Sequence, residues 1–123
     1  APPCLRRVRA LEEAGLIAGY TVLLDEPALG FNLTAFAMVQ LHNQAEPQLR
    51  EFENLVLSWP IVREAYMLSG ETDYILKCVS TELTAFQEFV LDDLTAAPNV
   101  ASVKTYLTIR RAKREPGVPF LKE

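Results

Sequence analysis

Apolar residues recur at every second position over residues 34–42, where Ala35, Ala37, Val39 and Leu41 alternate with Thr34, Phe36, Met38, Gln40 and His42. That period belongs to a strand, whose successive side chains point to opposite faces. Pro47 sits at a first-turn position and opens a helix in which Leu49, Phe52, Leu55 and Val56 share a face, and Trp59-Pro60 ends it. Residues 61–69 and 73–79 read as two strands split by Gly70-Glu71-Thr72, a hairpin turn. Ser80 or Thr81 can cap a second helix, where Leu83, Phe86, Val90 and Leu94 line up, and Pro98 closes it. Residues 101–110 alternate again, with Val103, Thr105, Leu107 and Ile109 on one side.

The body is therefore strand-helix-strand, turn, strand-helix-strand. Both helices end in a Pro-x-Val step, Pro60-Ile61-Val62 and Pro98-Asn99-Val100. This order predicts an α+β fold, a ferredoxin-like βαββαβ sandwich with an antiparallel sheet and two helices on one face. The other face would carry Phe36, Met38, Tyr66, Leu68 and Tyr106, too much apolar surface to leave wet. The simplest cover is a second copy related by a two-fold axis, so a dimer is expected.

Ahead of this body lies a helix pattern. Pro2 and Pro3 are tolerated at its start, and Leu5, Val8 and Leu11 make one apolar stripe. Arg6 and Arg9 project from another side, with Arg7 between, and Gly15 is a plausible stop. A lone helix cannot bury such a stripe, so upstream sequence or another chain is expected to pack on it. With no initiator methionine, the chain reads as a fragment. Residues 16–24 form an extended connector, and Asp25-Glu26-Pro27 with Gly30 marks a loop. The expected divisions are 1–17 for the helix, 18–32 for a linker strand and loop, 33–112 for the body and 113–123 for a tail.

Composition narrows the function classes. The chain has 123 residues, half of them apolar, which suits one globular domain. Its two cysteines and one histidine fall short of the four ligands of a structural zinc site. No apolar run approaches the roughly 18 residues of a membrane span, and no signal-peptide pattern opens the chain. A cytoplasmic protein with no membrane partner is expected. There is no nucleophile motif, phosphate-binding glycine loop or metal-ligand pair, so no catalytic residue, metal or cofactor is assigned and an enzyme is not expected. The net charge of −4 hides a division: both ends are basic and the body between them is acidic. One end could therefore face a polyanion.

Two stretches carry a resemblance. Pro3-Cys4-Leu5-Arg6-Arg7-Val8-Arg9-Ala10-Leu11-Glu12-Glu13-Ala14-Gly15-Leu16-Ile17 resembles the recognition helix of the Lrp/AsnC, or feast/famine, transcription regulators. Ser69-Gly70-Glu71-Thr72-Asp73-Tyr74 resembles that family's G-x-x-D-Y hairpin, followed at similar distance by Pro98-Asn99-Val100 and Thr105-Tyr106. The resemblance implies a DNA-binding regulator whose body, the regulator-of-amino-acid-metabolism domain, dimerises and assembles into an octamer of four dimers. It implies operator DNA as partner of the full-length parent, at Pro3, Cys4, Arg6, Arg7 and Arg9. It also implies a free amino acid as effector, bound at contacts between dimers. Leu68, Ser69, Gly70, Glu71, Thr72 and Asp73 would line one side of that site, and Ser102, Val103 and Thr105 the other. The family has two helices before the recognition helix, and they are absent here.

Each reading has a plainer counterpart. The arginines could be a solvated basic face, with Arg9 and Glu13 pairing one turn apart. Turn N–H groups and an acidic side chain can receive the carboxylate and ammonium of an amino acid, but Asp73 could equally be a structural turn acceptor. His42 is assigned no ligand role, Cys78 is a core residue, and Trp59 packs at a helix end. Two alternatives remain: a stand-alone amino-acid-binding module without DNA binding, and a cofactor-free monooxygenase of the dimeric ferredoxin-like type, using His42, Asn43 and Trp59.

Overall fold

The computed structural model describes residues 2–20 and 22–119. Ala1, Thr21 and the last four residues of the expected tail lie outside the described residues. Helix α1 spans Pro2–Glu13, and strand β1 spans Leu33–Leu41. Then come α2 (Glu46–Leu57), β2 (Val62–Met67), β3 (Tyr74–Ser80), α3 (Leu83–Phe89) and β4 (Val100–Leu107). The four strands form one antiparallel sheet in the order β2-β3-β1-β4, the expected ferredoxin-like arrangement. No helix among the described residues is long and apolar enough to cross a membrane.

The alternation of β1 sorts the sheet into two faces. Ala35, Ala37, Val39 and Leu41 are buried on the helix side, beside Cys78, Leu76 and Tyr74 of β3. Phe52 and Val56 of α2, with Phe86 and Phe89 of α3, close this core from above. Small residues at 35 and 37 leave room for the rings. Phe52 packs on Tyr74 at 5.0 Å between centroids, and Trp59 meets Phe89 edge-on at 5.3 Å. Trp59 is thus the helix-end packing residue expected. Cys78 is buried as expected, and burial pushes its thiol up to about 12. Tyr74 is pushed up from 10.0 by burial first, then by its 2.5 Å hydrogen bond to Glu53 of α2.

Four expectations need correction. Residues 18–20 and 22–32 contain no strand; a short 3₁₀ turn at Pro27–Leu29 is their one regular element. An extended segment becomes a strand only with a neighbour to pair with, and the described chain offers it none. The cap of α3 is Glu82, without a side-chain bond; Ser80 instead donates to the Glu82 carbonyl at 3.1 Å. The apolar stripe on this helix is also shifted. Phe89, one turn after Phe86, enters the core with it, while Val90 packs at the core's edge and Leu83 stays exposed; the wide π turn at Val90–Leu94 then brings Leu94 onto the same side. The last strand stops at Leu107, where Thr108 donates twice to the Thr34 carbonyl, and Ile109 is fully in solvent.

The second face of the sheet carries Phe36, Met38, Tyr66 and Tyr106 as expected, with Ile75 added; Leu68 lies just beyond β2. Tyr66 and Tyr106 are both 57% exposed. Beside them Lys77 pairs with Glu64 at 3.4 Å, and the Tyr66 hydroxyl donates to Glu64 at 2.7 Å. These groups, Tyr66 first, hold the Glu64 carboxyl below its ordinary 4.5. The stripe on α1 is likewise unpartnered: Leu5, Val8 and Leu11 are all exposed. Gly15, at φ +73, ends α1 in paired bonds from Leu16 to Leu11 and from Gly15 to Glu12.

Two outcomes test this description. Phe52→Ala removes the ring that joins α2 to Tyr74, and should lower unfolding stability by about 3–5 kcal/mol in urea titrations. Because folding lowers the Glu64 pKa, its contribution is complete above about 4.5 and is lost as pH falls through the folded value. The urea midpoint of Glu64→Gln should therefore lie below wild type at pH 6 and converge with it toward pH 3.

Candidate functional site

The hairpin turn and the start of β4 meet the same end of β1. β1 lies between β3 and β4, so the two stretches stand about two strand spacings apart, roughly 10 Å. After Met67 the chain leaves β2. Leu68 donates to the Asp73 carbonyl at 2.8 Å, and Asp73 donates to the Val39 carbonyl at 3.0 Å. Gly70 has φ +131, a backbone conformation that excludes most side chains. Among the described residues the N–H groups of residues 69–72 have no hydrogen-bond acceptor, and Ser69, Gly70 and Glu71 are exposed.

Asp73 is engaged with β1. Its Oδ2 accepts the Leu41 N–H at 2.7 Å, and the Gln44 side-chain amide reaches the same oxygen at 3.4 Å. The acceptor is needed because β3 pairs with β1 only as far as Val39, which leaves the Leu41 N–H beyond the last pair on that side. The structural role considered for Asp73 is therefore present. Oδ1 makes no bond among the described residues, which leaves an acceptor for an ammonium group.

The β4 residues are divided between two faces. Ser102 is on the face away from the helices, opposite Gln40, with Oγ 3.5 Å from Oε1 of Gln40. Val103 and Thr105 are on the helix side, opposite Val39 and Ala37. Val103 packs against the core and Thr105 is exposed. Only Ser102 shares a face and a sheet end with Gln40. A large cleft of about 830 Å³ lies at the other end of that face, lined by Phe36, Tyr66, Lys77 and residues 108–114. Arg111 of this segment bridges to Glu26 at 3.3 Å. The cleft does not include the turn, and the turn chemistry outweighs its volume as a guide to amino-acid recognition.

Pro3, Cys4, Arg6, Arg7 and Arg9 are all exposed on α1. Arginines on an exposed helix can reach phosphates and base edges. His42 is exposed after the end of β1.

Sequence reasoning passed over Gln40, Gln44 and Asn99 as site residues. Asn99 carries the one usable signal: asparagine after a helix-ending proline is a candidate for the left-handed conformation it adopts, φ +70. The two glutamines had none, since their contacts are made across strands.

Asp73→Ala removes a charged acceptor from a partly buried N–H and should destabilise the chain by about 1.5–3 kcal/mol. Asp73→Asn, which keeps an oxygen acceptor, should recover part of that loss in the same urea titration.

Comparison with known proteins places these features in a family. Residues 34–118 match the family model described as the Lrp/AsnC ligand binding domain. The chain is 56% identical over 113 residues to a leucine-responsive regulatory protein of Rhizobium meliloti, covering 92% of this chain and 72% of that protein. It is 37% identical to a Bkd operon transcriptional regulator of Pseudomonas aeruginosa, covering 96% and 77%. Among solved structures, a Neisseria meningitidis transcriptional regulator in complex with L-Met superposes with a TM-score of 0.86 at 34% identity, covering 95% and 75%. An AsnC family regulator from Agrobacterium tumefaciens gives 0.84 at 27% identity, covering 95% and 76%. With its sheet order, turn and family match in agreement, the chain belongs to the Lrp/AsnC family of transcription regulators and carries that family's ligand-binding domain.

Proposed function

We propose that this chain is the sensing and assembly portion of a DNA-binding transcription regulator, and that its effector is a free amino acid. The observation that carries the reading is the turn at residues 68–73. Asp73 ties it to β1 through Oδ2, while the N–H groups of residues 69–72 and Oδ1 of Asp73 have no partner among the described residues. An amino acid presents a carboxylate and an ammonium a few ångströms apart, and this turn supplies donors for one and an acceptor for the other. Leu68, Ser69, Gly70, Glu71, Thr72 and Asp73 form one wall, and Ser102, with Val103 and Thr105 behind it, forms the second. The site closes when another dimer packs against this end.

The similar Neisseria regulator was solved with L-Met, and the Rhizobium relative is named for leucine, so apolar amino acids are the first candidates. The uncovered aromatic face of the sheet supports a face-to-face dimer, and four such dimers would assemble into the octamer that the family resemblance implies. Exposed Arg6, Arg7 and Arg9 on α1 support operator contact by the full-length parent in the cytoplasm, with Pro3 and Cys4 at the start of that helix. Effector binding then shifts the assembly or the spacing of the DNA-binding heads, which requires unequal affinity for two states, about 1–3 kcal/mol.

A melting panel against the twenty amino acids tests the reading. A ligand at about 100 times its dissociation constant stabilises by about 2.7 kcal/mol, which for a chain of this size raises the midpoint by roughly 5 °C. One amino acid, or a small apolar group of them, should produce that shift, and Asp73→Ala should abolish it. No shift with any of the twenty would reject the sensing role.

A further inference from the structure

Ending a helix does not account for the conformation of the Pro98-Asn99-Val100 step. Asn99 holds φ +70, a left-handed backbone that glycine adopts without the steric cost an asparagine carries. Its side chain supplies what glycine could not. Oδ1 of Asn99 accepts the Asn43 N–H at 2.9 Å, and Nδ2 donates to the Asn43 carbonyl at 2.7 Å. The Asn99 carbonyl accepts the His42 N–H at 2.8 Å. The start of β4 is thereby clasped, through one side chain, to the backbone of the loop at residues 42–45.

The same loop is tied to the turn on its other side. Gln44 Nε2 donates to the Leu41 carbonyl at 2.6 Å and lies 3.4 Å from Asp73 Oδ2, the oxygen that receives the Leu41 N–H. Asn43 Oδ1 accepts the Ala45 N–H at 2.8 Å, holding the loop where α2 begins. Polar links run from Asp73 through Leu41 to Gln44 and from Asn43 to Asn99, and the peptide bond between Asn43 and Gln44 joins the two. Asn43 and Gln44 are exposed and Asn99 is half-buried, so none of the three fills the core. Such a chain of exposed amides is poorly suited to adding stability but well suited to setting distance.

We infer that Asn99, acting through Asn43 and Gln44, is a positioning residue that holds the two walls of the amino-acid site at a set separation. The inference rests on the sensing reading above. None of the three amides is required to touch the effector. They fix the 68–73 turn relative to Ser102, so that N–H donors, the Asp73 carboxylate and the β4 wall are arranged before binding. A preorganised site avoids the cost of ordering its parts when the ligand arrives.

Asn99→Gly separates positioning from stability, because glycine keeps the left-handed backbone while both amide bonds to Asn43 disappear. Asn99→Asp keeps the acceptor for the Asn43 N–H and exchanges the donor for a carboxylate oxygen facing the Asn43 carbonyl. The intact chain and both variants are titrated calorimetrically with L-methionine and with L-leucine, and melted without ligand. Asn99→Gly should weaken binding about tenfold, because the two walls must then be ordered when the ligand arrives and not before. Its ligand-free midpoint should stay near wild type, and Asn99→Asp should restore part of the affinity. Equal dissociation constants in all three proteins would overturn the inference while leaving the sensing role intact. So would an affinity loss that follows a fall in the ligand-free midpoint and is not recovered by Asn99→Asp. If wild type titrates with neither amino acid and responds to none in the melting panel, the sensing role fails and the inference with it.

Discussion

β1 is hydrogen-bonded on both sides, to β3 and to β4, and the rest of the body takes its position from that strand. Its alternation determines which side of the sheet is dry. Ala35, Ala37, Val39 and Leu41 accept the helices, and the small side chains at 35 and 37 let Phe52 and Phe86 lie close over the sheet. The residues between them face the other way, and no described element of the chain is left to cover them fully. A sheet with two helices has one face too many, and the aromatic side chains of that face stay exposed among the described residues.

The end of β1 carries the second constraint. β3 stops pairing with β1 at Val39, and Asp73 receives the Leu41 N–H that lies beyond the last pair. That bond brings the hairpin turn against the central strand instead of leaving it to wave beyond the sheet. On the other side of β1 the register with β4 slips between Gln40 and Leu41, and Asn99 takes a left-handed conformation just before β4. Strand register, turn position and candidate site are thus one arrangement. Bulges beside sites recur in other folds because they re-aim side chains that a regular strand would point elsewhere.

Charge is distributed along the same division of labour. The acidic body offers few cations of its own, and Lys77 is occupied by Glu64 on the open face. The basic residues gather on α1 and after β4, where they remain exposed; Arg111 bridges to Glu26 ahead of β1 and Lys113 pairs with nearby Glu115. Surface pairs of this kind contribute little stability. Their effect is to place a positive segment beside the connector that follows α1.

Sequence alone was enough for the fold and the family. Period-two runs, helical stripes, prolines at helix starts and ends, and a glycine turn are local signals, and each of them names an element within a few residues of where it lies. The resemblance at residues 3–17 and 69–77 was legible for the same reason, since motifs are contiguous. What sequence could not supply were relations across the sheet. Leu94 shares the core with Phe89, five residues earlier, because a wide turn shifts the helix phase; Ser102 and Val103 separate because strand neighbours point to opposite faces. Whether Asp73 serves the fold or a ligand was undecidable until Leu41, 32 residues away, was seen to donate to it. The linker strand failed to appear because pairing depends on a neighbour and extended pattern alone does not provide one. Local propensity chooses elements, but hydrogen bonds between distant residues choose register, and register decides which side chains converge on a site.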